Sequence, residues 1–224
     1  MSTFLTDSNE VKITRFSCWV TFVLGMGYLI TTILGFISLD SPQDPIADPF
    51  FTMMEILILL IVLFTVISLI GIHYCNPKKV KIFSFISVVF MLLVAGISSC
   101  VHFTVLALGN QAKIQELPDF DMVFSFKWPS VVYVLDILAW DWFYAISILF
   151  LAPIFKRNGI EQVIQILIIL CGILCLVGLL GIPLNNMQVR NIGVIGYGVI
   201  SPFIFLMIAK YIGKKVGLDK IQTQ

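Results

Sequence analysis

Six long apolar blocks constrain how this chain can fold. They span 16–39, 50–73, 82–108, 129–155, 160–182 and 187–212. Each has at least the roughly 20 residues that a helix needs to cross about 30 Å of hydrocarbon. No ten-residue alternating strands of a barrel are present, so these segments are predicted to be helices. The sequence therefore predicts an all-α, polytopic integral membrane protein, with a single domain of six transmembrane helices over 1–224.

The composition excludes a soluble domain. Hydrophobic residues make up 59% of the chain and charged residues only 12%, whereas soluble domains usually carry about 25% charged residues. The formal net charge is +1, which gives no electrostatic basis for binding a polyanion. The expected partner is the lipid bilayer, and no nucleic acid is expected.

The positions of the basic residues predict the orientation of the helices. With the N-terminus inside, 11 of the 14 Lys and Arg residues fall on cytoplasmic stretches, namely Lys12, Arg15, Lys78, Lys79, Lys81, Lys156, Arg157, Lys210, Lys214, Lys215 and Lys220. The positive-inside rule then places both termini in the cytoplasm. The predicted location is the plasma membrane.

Ionisable residues inside the spans are the strongest indication of function. A charged side chain near the centre of a lipid-facing helix costs at least about 2.5–3.5 kcal/mol, so such residues normally face the bundle interior. Four are present, Glu55, His102, Asp136 and Asp141. At about 1.5 Å per residue, the first three lie roughly 7–10 Å from the outer ends of their helices, and Asp141 lies close to the midplane. We therefore expect Glu55, His102 and Asp136 to share one level.

Helical periodicity predicts which faces these residues occupy. On the third helix a stripe of mostly small or polar residues, typical of helix–helix contact, consists of Ser84, Ser87, Met91, Ala95, Ser98 and His102. On the fourth helix Tyr133, Asp136 and Trp140 share a face. Asp141 is roughly 140° around the helix from Asp136 at 100° per residue. It is therefore expected to point elsewhere, so the two aspartates are not predicted to form a dyad.

Each buried polar group also has a structural interpretation. Glu55, His102 and Asp136 form either a functional site, which we favour, or a network that only fixes helix register. For Asp141, a hydrogen bond to Tyr144 or to a neighbouring helix is as well supported as a proton-carrying role. One histidine and two carboxylates are a weak basis for a zinc site, because no second histidine at helical spacing reinforces them. No metal and no cofactor is expected.

The last loop and the sixth helix hold two further candidates. Asn185, Asn186 and Arg190 at the helix start suit an anion clamp, although an ordinary polar cap is favoured. Pro202 cannot donate a hydrogen bond to the carbonyl oxygen of Gly198. The two residues are therefore a candidate hinge, with close helix packing as an equal alternative.

Together these residues predict a polar pocket that faces outward, built by the second, third and fourth helices and roofed by the loop before the sixth. The leading hypothesis is that this pocket binds a small polar or cationic solute, or carries protons, in a transport or sensing role. One alternative is an intramembrane enzyme acting on a lipid headgroup, with His102 as base, although no catalytic residue is assigned. A structural membrane subunit is a further alternative. A homodimer is also predicted, because six helices are few for alternating access.

Overall fold

The residues that the structure describes include six long helices. The structure, a computed structural model, describes residues 9–41, 46–109, 111–156 and 158–222. The helices long and apolar enough to span a membrane are α1 (Asn9–Ile37), α2 (Phe50–Cys75), α3 (Lys78–Leu108), α4 (Val131–Ile154), α5 (Gly159–Gly181) and α6 (Met187–Lys215). Two one-turn helices, Ala112–Gln115 and Phe120–Val123, lie between α3 and α4. The predicted all-helical membrane architecture is confirmed.

The first helix begins earlier than its apolar block. It starts at Asn9 rather than at 16, because its N-terminal turns are held against α2. Thr14 is fully buried and its hydroxyl lies 3.7 Å from Cys75 Sγ, in a contact made possible by the absence of a side chain at Gly71. Apolarity alone could not reveal this extension, since it carries polar residues on its other face.

The helices are arranged as a closed ring in chain order. Each helix packs on the next one along the chain, and α6 returns to pack on α1. One end of the ring, here called the loop end, is where α1, α3 and α5 end and α2, α4 and α6 begin. The opposite half is filled by a continuous apolar core that includes Leu69, Met91, Ile148 and Ile208. The interior is therefore packed away from the loop end and has room for a polar site nearer to it.

Two helices depart from α-helical winding where they face each other. Leu138–Tyr144 in α4 and Ile195–Ile200 in α6 are π-helical. Such segments shift the backbone hydrogen bonds from i→i+4 to i→i+5 and are frequent at functional sites. The segment in α6 ends immediately before Ser201 and Pro202, whose ring cannot donate to the preceding turn. Both departures bring interior side chains into positions that regular helices would not give them.

Candidate functional site

Five ionisable side chains are linked across the interior near the loop end. Glu55 Oε2 lies 2.8 Å from His102 Nδ1, and His102 Nε2 lies 3.1 Å from Asp136 Oδ1. Arg190 Nη2 donates to Asp136 Oδ2 at 3.4 Å, while Arg190 Nε lies 3.3 Å from Asp141 Oδ2. Each residue is at most 5% exposed. These five residues, here called the charge cluster, join α2, α3, α4 and α6.

The structure brings Glu55, His102 and Asp136 together at the depth and on the faces expected from the sequence. His102 ends a buried stripe on α3 that includes Ser84 and Ser98. Both of its ring nitrogens face carboxylates, so neither is free to act on a substrate or to bind a metal ion. Within the described ranges, no group of three or more His, Cys, Asp or Glu residues is arranged to hold a metal.

Asp141 also joins the cluster, and the expectation that it points away from Asp136 was wrong. Asp141 lies in the π-helical segment of α4, which has more residues per turn than an α-helix. This wider winding brings its side chain to the same side of α4 as Asp136, five residues earlier. Both aspartates contact the same arginine, Arg190. The hydroxyl of Tyr144 pairs with Ser201 instead of with Asp141.

Two glycines make the space that Asp141 occupies. A Cβ atom at Gly178 would lie 2.9 Å from Asp141 Oδ1, and one at Gly193 would overlap the same oxygen. Asp141 is fully buried, and among the described residues neither of its oxygens has a hydrogen-bond partner. Arg190 Nε is near enough for charge attraction without hydrogen-bond geometry. The carboxyl group is thus enclosed and incompletely satisfied.

Arg190 lies deeper than the sequence suggested. An anion clamp or a polar cap was expected at the helix start, but the arginine side chain is buried in the first turns of α6. Its guanidinium carbon is 5.1 Å from the ring centroid of Tyr133 and 5.8 Å from that of Tyr197, within cation–π range. Sequence reasoning missed Tyr197, although the seven-residue spacing from Arg190 puts both on one helix face.

Asn185 and Asn186 shape the loop before α6. The side chain of Asn186 accepts hydrogen bonds from the backbone N–H groups of Gln188 at 3.0 Å and Val189 at 3.3 Å. Asn185 has a φ of 47° and accepts a hydrogen bond from Trp128 Nε1 at 3.2 Å. These contacts are those of a helix cap and a turn, rather than of an anion clamp.

We expect Asn186→Ala to lower the free energy of unfolding by about 1 kcal/mol, because two backbone N–H groups lose their acceptor. Asn186→Asp is the matched control and should retain most of the stability, since a carboxylate also caps a helix. Reversible unfolding in mixed micelles, followed by circular dichroism, measures both. A loss in Asn186→Asp equal to that in Asn186→Ala would contradict the capping role.

A cavity of about 470 Å³ adjoins the charge cluster. It is lined by α1, α2, α4 and α6, by Ile46 before α2 and by Phe126 before α4. Of the three helices expected to form the wall, the second and fourth line it and the third does not. The third helix lies behind this wall, where Ser98 Oγ accepts a hydrogen bond from Trp140 Nε1 at 3.2 Å. Asp136 and Arg190 reach the cavity surface, while Glu55 and His102 stand behind Asp136.

Aromatic side chains with polar groups dominate the wall nearest the cluster. They are Tyr28, Tyr133, Trp140, Tyr144 and Tyr197. Tyr133 and Trp140 were expected at the site from their spacing with Asp136. Tyr28 was not, since a single tyrosine in an apolar helix carries no signal in the sequence. The wall thus combines ring faces with hydroxyl groups beside a carboxylate.

The two candidate hinge residues also line this cavity. Pro202 packs tightly on α1, since a Cβ atom at Gly25 would lie 2.6 Å from Pro202 Cγ. Around Gly198 the space is looser, with Val194 Cγ1 at 3.5 Å from the position of an added Cβ atom. The close contact at Pro202 supports a packing role. The space around Gly198 does not test the hinge, which stays a prediction.

No family model, curated protein or solved structure matches this chain. What the site can do must therefore follow from its own geometry. It contains carboxyl groups that can exchange protons, an imidazole held between two of them, and an adjoining cavity large enough for a small molecule.

Proposed function

We propose that this multi-pass membrane protein binds protons at the charge cluster and couples them to a small polar or cationic solute in the cavity, in transport or sensing. The observation that carries the proposal is the unbroken link from Glu55 through His102 to Asp136, whose carboxylate also borders the cavity. A change of proton occupancy at Glu55 can therefore reach the cavity through two hydrogen bonds.

The charge balance of the cluster supports proton binding. Three carboxyl groups face one guanidinium and one imidazole, so full ionisation leaves at least one negative charge unbalanced. An unpaired buried charge is strongly unfavourable. A bound proton neutralises the carboxylate, and a bound cation compensates its charge. The titratable and charged groups at or beside the cluster are Tyr28, Glu55, His102, Tyr133, Asp136, Asp141, Tyr144, Cys171, Cys175, Arg190 and Tyr197. The phenols and thiols among these groups ordinarily carry no charge near pH 7.

The same proposal includes an orientation. The concentration of basic residues at the end opposite the loop end favours cytoplasmic termini, and the plasma membrane is the membrane we propose. The cluster and cavity then belong to the outer half of the bilayer. A homodimer remains a prediction, because one ring of six helices is small for alternating access.

The enzyme alternative gains no support from the geometry around His102. A general base needs a free nitrogen within reach of its substrate. Both nitrogens of His102 are engaged, and Asp136 separates the ring from the cavity.

Infrared difference spectroscopy of the reconstituted protein, between about pH 4 and pH 9, tests proton binding without a known solute. We expect a reversible carbonyl band from carboxyl groups that take up protons in an apolar setting. Glu55→Gln and Asp136→Asn should each remove or shift part of this band, because each removes one of the linked acids.

Matched substitutions outside the cluster serve as controls. Glu161 accepts a hydrogen bond from Tyr211 at the opposite end of the bundle, and Asp121 is exposed on the one-turn helix Phe120–Val123. Glu161→Gln and Asp121→Asn should leave the band of the apolar carboxyl groups unchanged. A band that is absent from the unmodified protein, or unaffected in both cluster variants, would overturn the proposed function.

A further inference from the structure

The cavity beside the charge cluster is of a size that suits an organic molecule. Its volume is about 470 Å³, within the roughly 300–1,000 Å³ typical of small-molecule pockets. A bare metal cation is much smaller and demands several converging oxygen ligands. Within the described parts of the chain, no such group of His, Cys, Asp or Glu is present. Size and ligands together favour an organic occupant.

The charge at the cavity wall favours a cation. Asp136 is the acid that borders the cavity, and the charge cluster, Asp136 included, has three acids and two bases. Arg190 also reaches the wall, but its guanidinium is already within 3.4 Å of Asp136 and 3.3 Å of Asp141. Because those two carboxylates neutralise it, an incoming anion would meet net negative charge.

The aromatic rings of the wall point to the same conclusion. Ring faces attract cations, most strongly where water is excluded. Tyr133 and Tyr197 already hold the guanidinium of Arg190 in this way, at 5.1 and 5.8 Å. Tyr28 and Trp140 line the same space from α1 and α4. A quaternary or protonated amine is the type of cation that such rings recognise without metal-type coordination.

Most of the remaining wall is apolar, and this surface indicates what the uncharged part of the ligand should be. Ile58 and Ile61 line the cavity from α2, and Pro202 lines it from α6. A hydrated, purely polar ion would leave these surfaces in contact with its water shell. An apolar group on the ligand would cover them and gain from the burial of that area.

We infer that the cavity binds an amphipathic organic ammonium ion, with its charged nitrogen near Asp136 and the tyrosine rings and its apolar part against Ile58, Ile61 and Pro202. This inference names the solute class of the proposed function and rests on it. The ammonium supplies the positive charge that the cluster lacks. A proton bound to the cluster supplies the same charge, so binding of the ammonium and binding of the proton are alternatives.

Equilibrium binding of radiolabelled benzyltrimethylammonium to the full chain in lipid nanodiscs tests the inference. We expect saturable binding and competition by the unlabelled ion. Phenylmethanesulfonate, an anion with the same aromatic group, and tetramethylammonium, which lacks that group, should each compete at least about tenfold more weakly. Equal competition by the sulfonate, or the absence of saturable ammonium binding, would overturn the inference.

Variants of the cavity wall provide the second arm. Asp136→Asn should weaken binding at least about tenfold, and Tyr28→Leu or Tyr197→Leu about threefold to tenfold. Tyr28 makes no ion pair in the charge cluster, so its variant remains informative if Asp136→Asn fails to fold. Tyr211→Leu, which alters a tyrosine at the opposite end of the bundle, should bind as the unmodified protein does. Equal affinity in all the wall variants would contradict the assigned site.

The infrared titration separates failure of this inference from failure of the proposed function. If the carboxyl groups exchange protons but the protein does not bind the ammonium, only the proposed ligand class is overturned. Ammonium binding in a protein whose carboxyl band does not respond to pH would support the cavity site and overturn the proton linkage.

Discussion

Replacing Arg190 with leucine is expected to lower the free energy of unfolding by about 3–5 kcal/mol. Leucine occupies part of the space of the arginine stem but leaves Asp136 and Asp141 without the cation between them. Asp141 suffers most, because it is fully buried and has no other close charge partner among the described contacts. Reversible unfolding in mixed micelles, followed by circular dichroism, measures the loss.

Two companion variants distinguish lost charge balance from general damage to α6. Lys210→Leu removes an exposed cation from the same helix and should change stability by less than about 0.5 kcal/mol. Adding Asp136→Asn and Asp141→Asn to Arg190→Leu should restore about 2 kcal/mol, because the uncompensated charges are then gone. If the triple variant were no more stable than Arg190→Leu alone, the loss would come from packing rather than from charge.

The convergence of Glu55, His102 and Asp136 could be predicted because it depends on regular geometry. The rise per residue gives the depth of each side chain, and the helical period gives its face. All three lie on α-helical stretches of α2, α3 and α4. The cost of charge in hydrocarbon then requires the three side chains to face inward.

The other half of the cluster could not be predicted, because it depends on non-α winding at Asp141 and on contacts with another helix at Arg190. Asp141 lies in a π-helical segment, and a 100° step per residue puts it on the wrong side of α4. Arg190 follows the cap at Asn186 as expected, but its burial results from contacts with Asp136, Asp141 and Tyr133, which all lie on α4. Neither feature leaves a periodic signal in the sequence.

The position of the cavity depends on how the ring closes. Sequence reasoning chose the helices that carry ionisable residues, whereas the ring brings α1 and α6 together and gives both a share of the wall. The first helix was overlooked because its contributions, Gly25 and Tyr28, look like ordinary membrane-helix residues. Contacts between the first and last helices are the least local in the chain, so no local pattern predicts them.

Gly193→Ala is expected to destabilise the fold by about 1–3 kcal/mol or more, because the added methyl group overlaps the carboxylate of Asp141. That carboxylate has little room to retreat, since a Cβ atom at Gly178 would also lie within 2.9 Å of Oδ1. Gly198→Ala in the same helix is the matched control. Its added Cβ meets only Val194 Cγ1, at 3.5 Å, so its stability should be unchanged or slightly higher, as helix propensity favours alanine over glycine.

A double-variant cycle identifies the overlap as the cause. In an Asp141→Ala background the carboxylate is absent, so the further change Gly193→Ala should cost less than about 0.5 kcal/mol. The coupling energy between the two positions, obtained from unfolding of the four proteins, should then account for most of the loss in Gly193→Ala. Additive losses would mean that α5 and α6 reject the methyl group for a reason other than Asp141. In that case Gly193 would not support the position of the Asp141 carboxylate beside it.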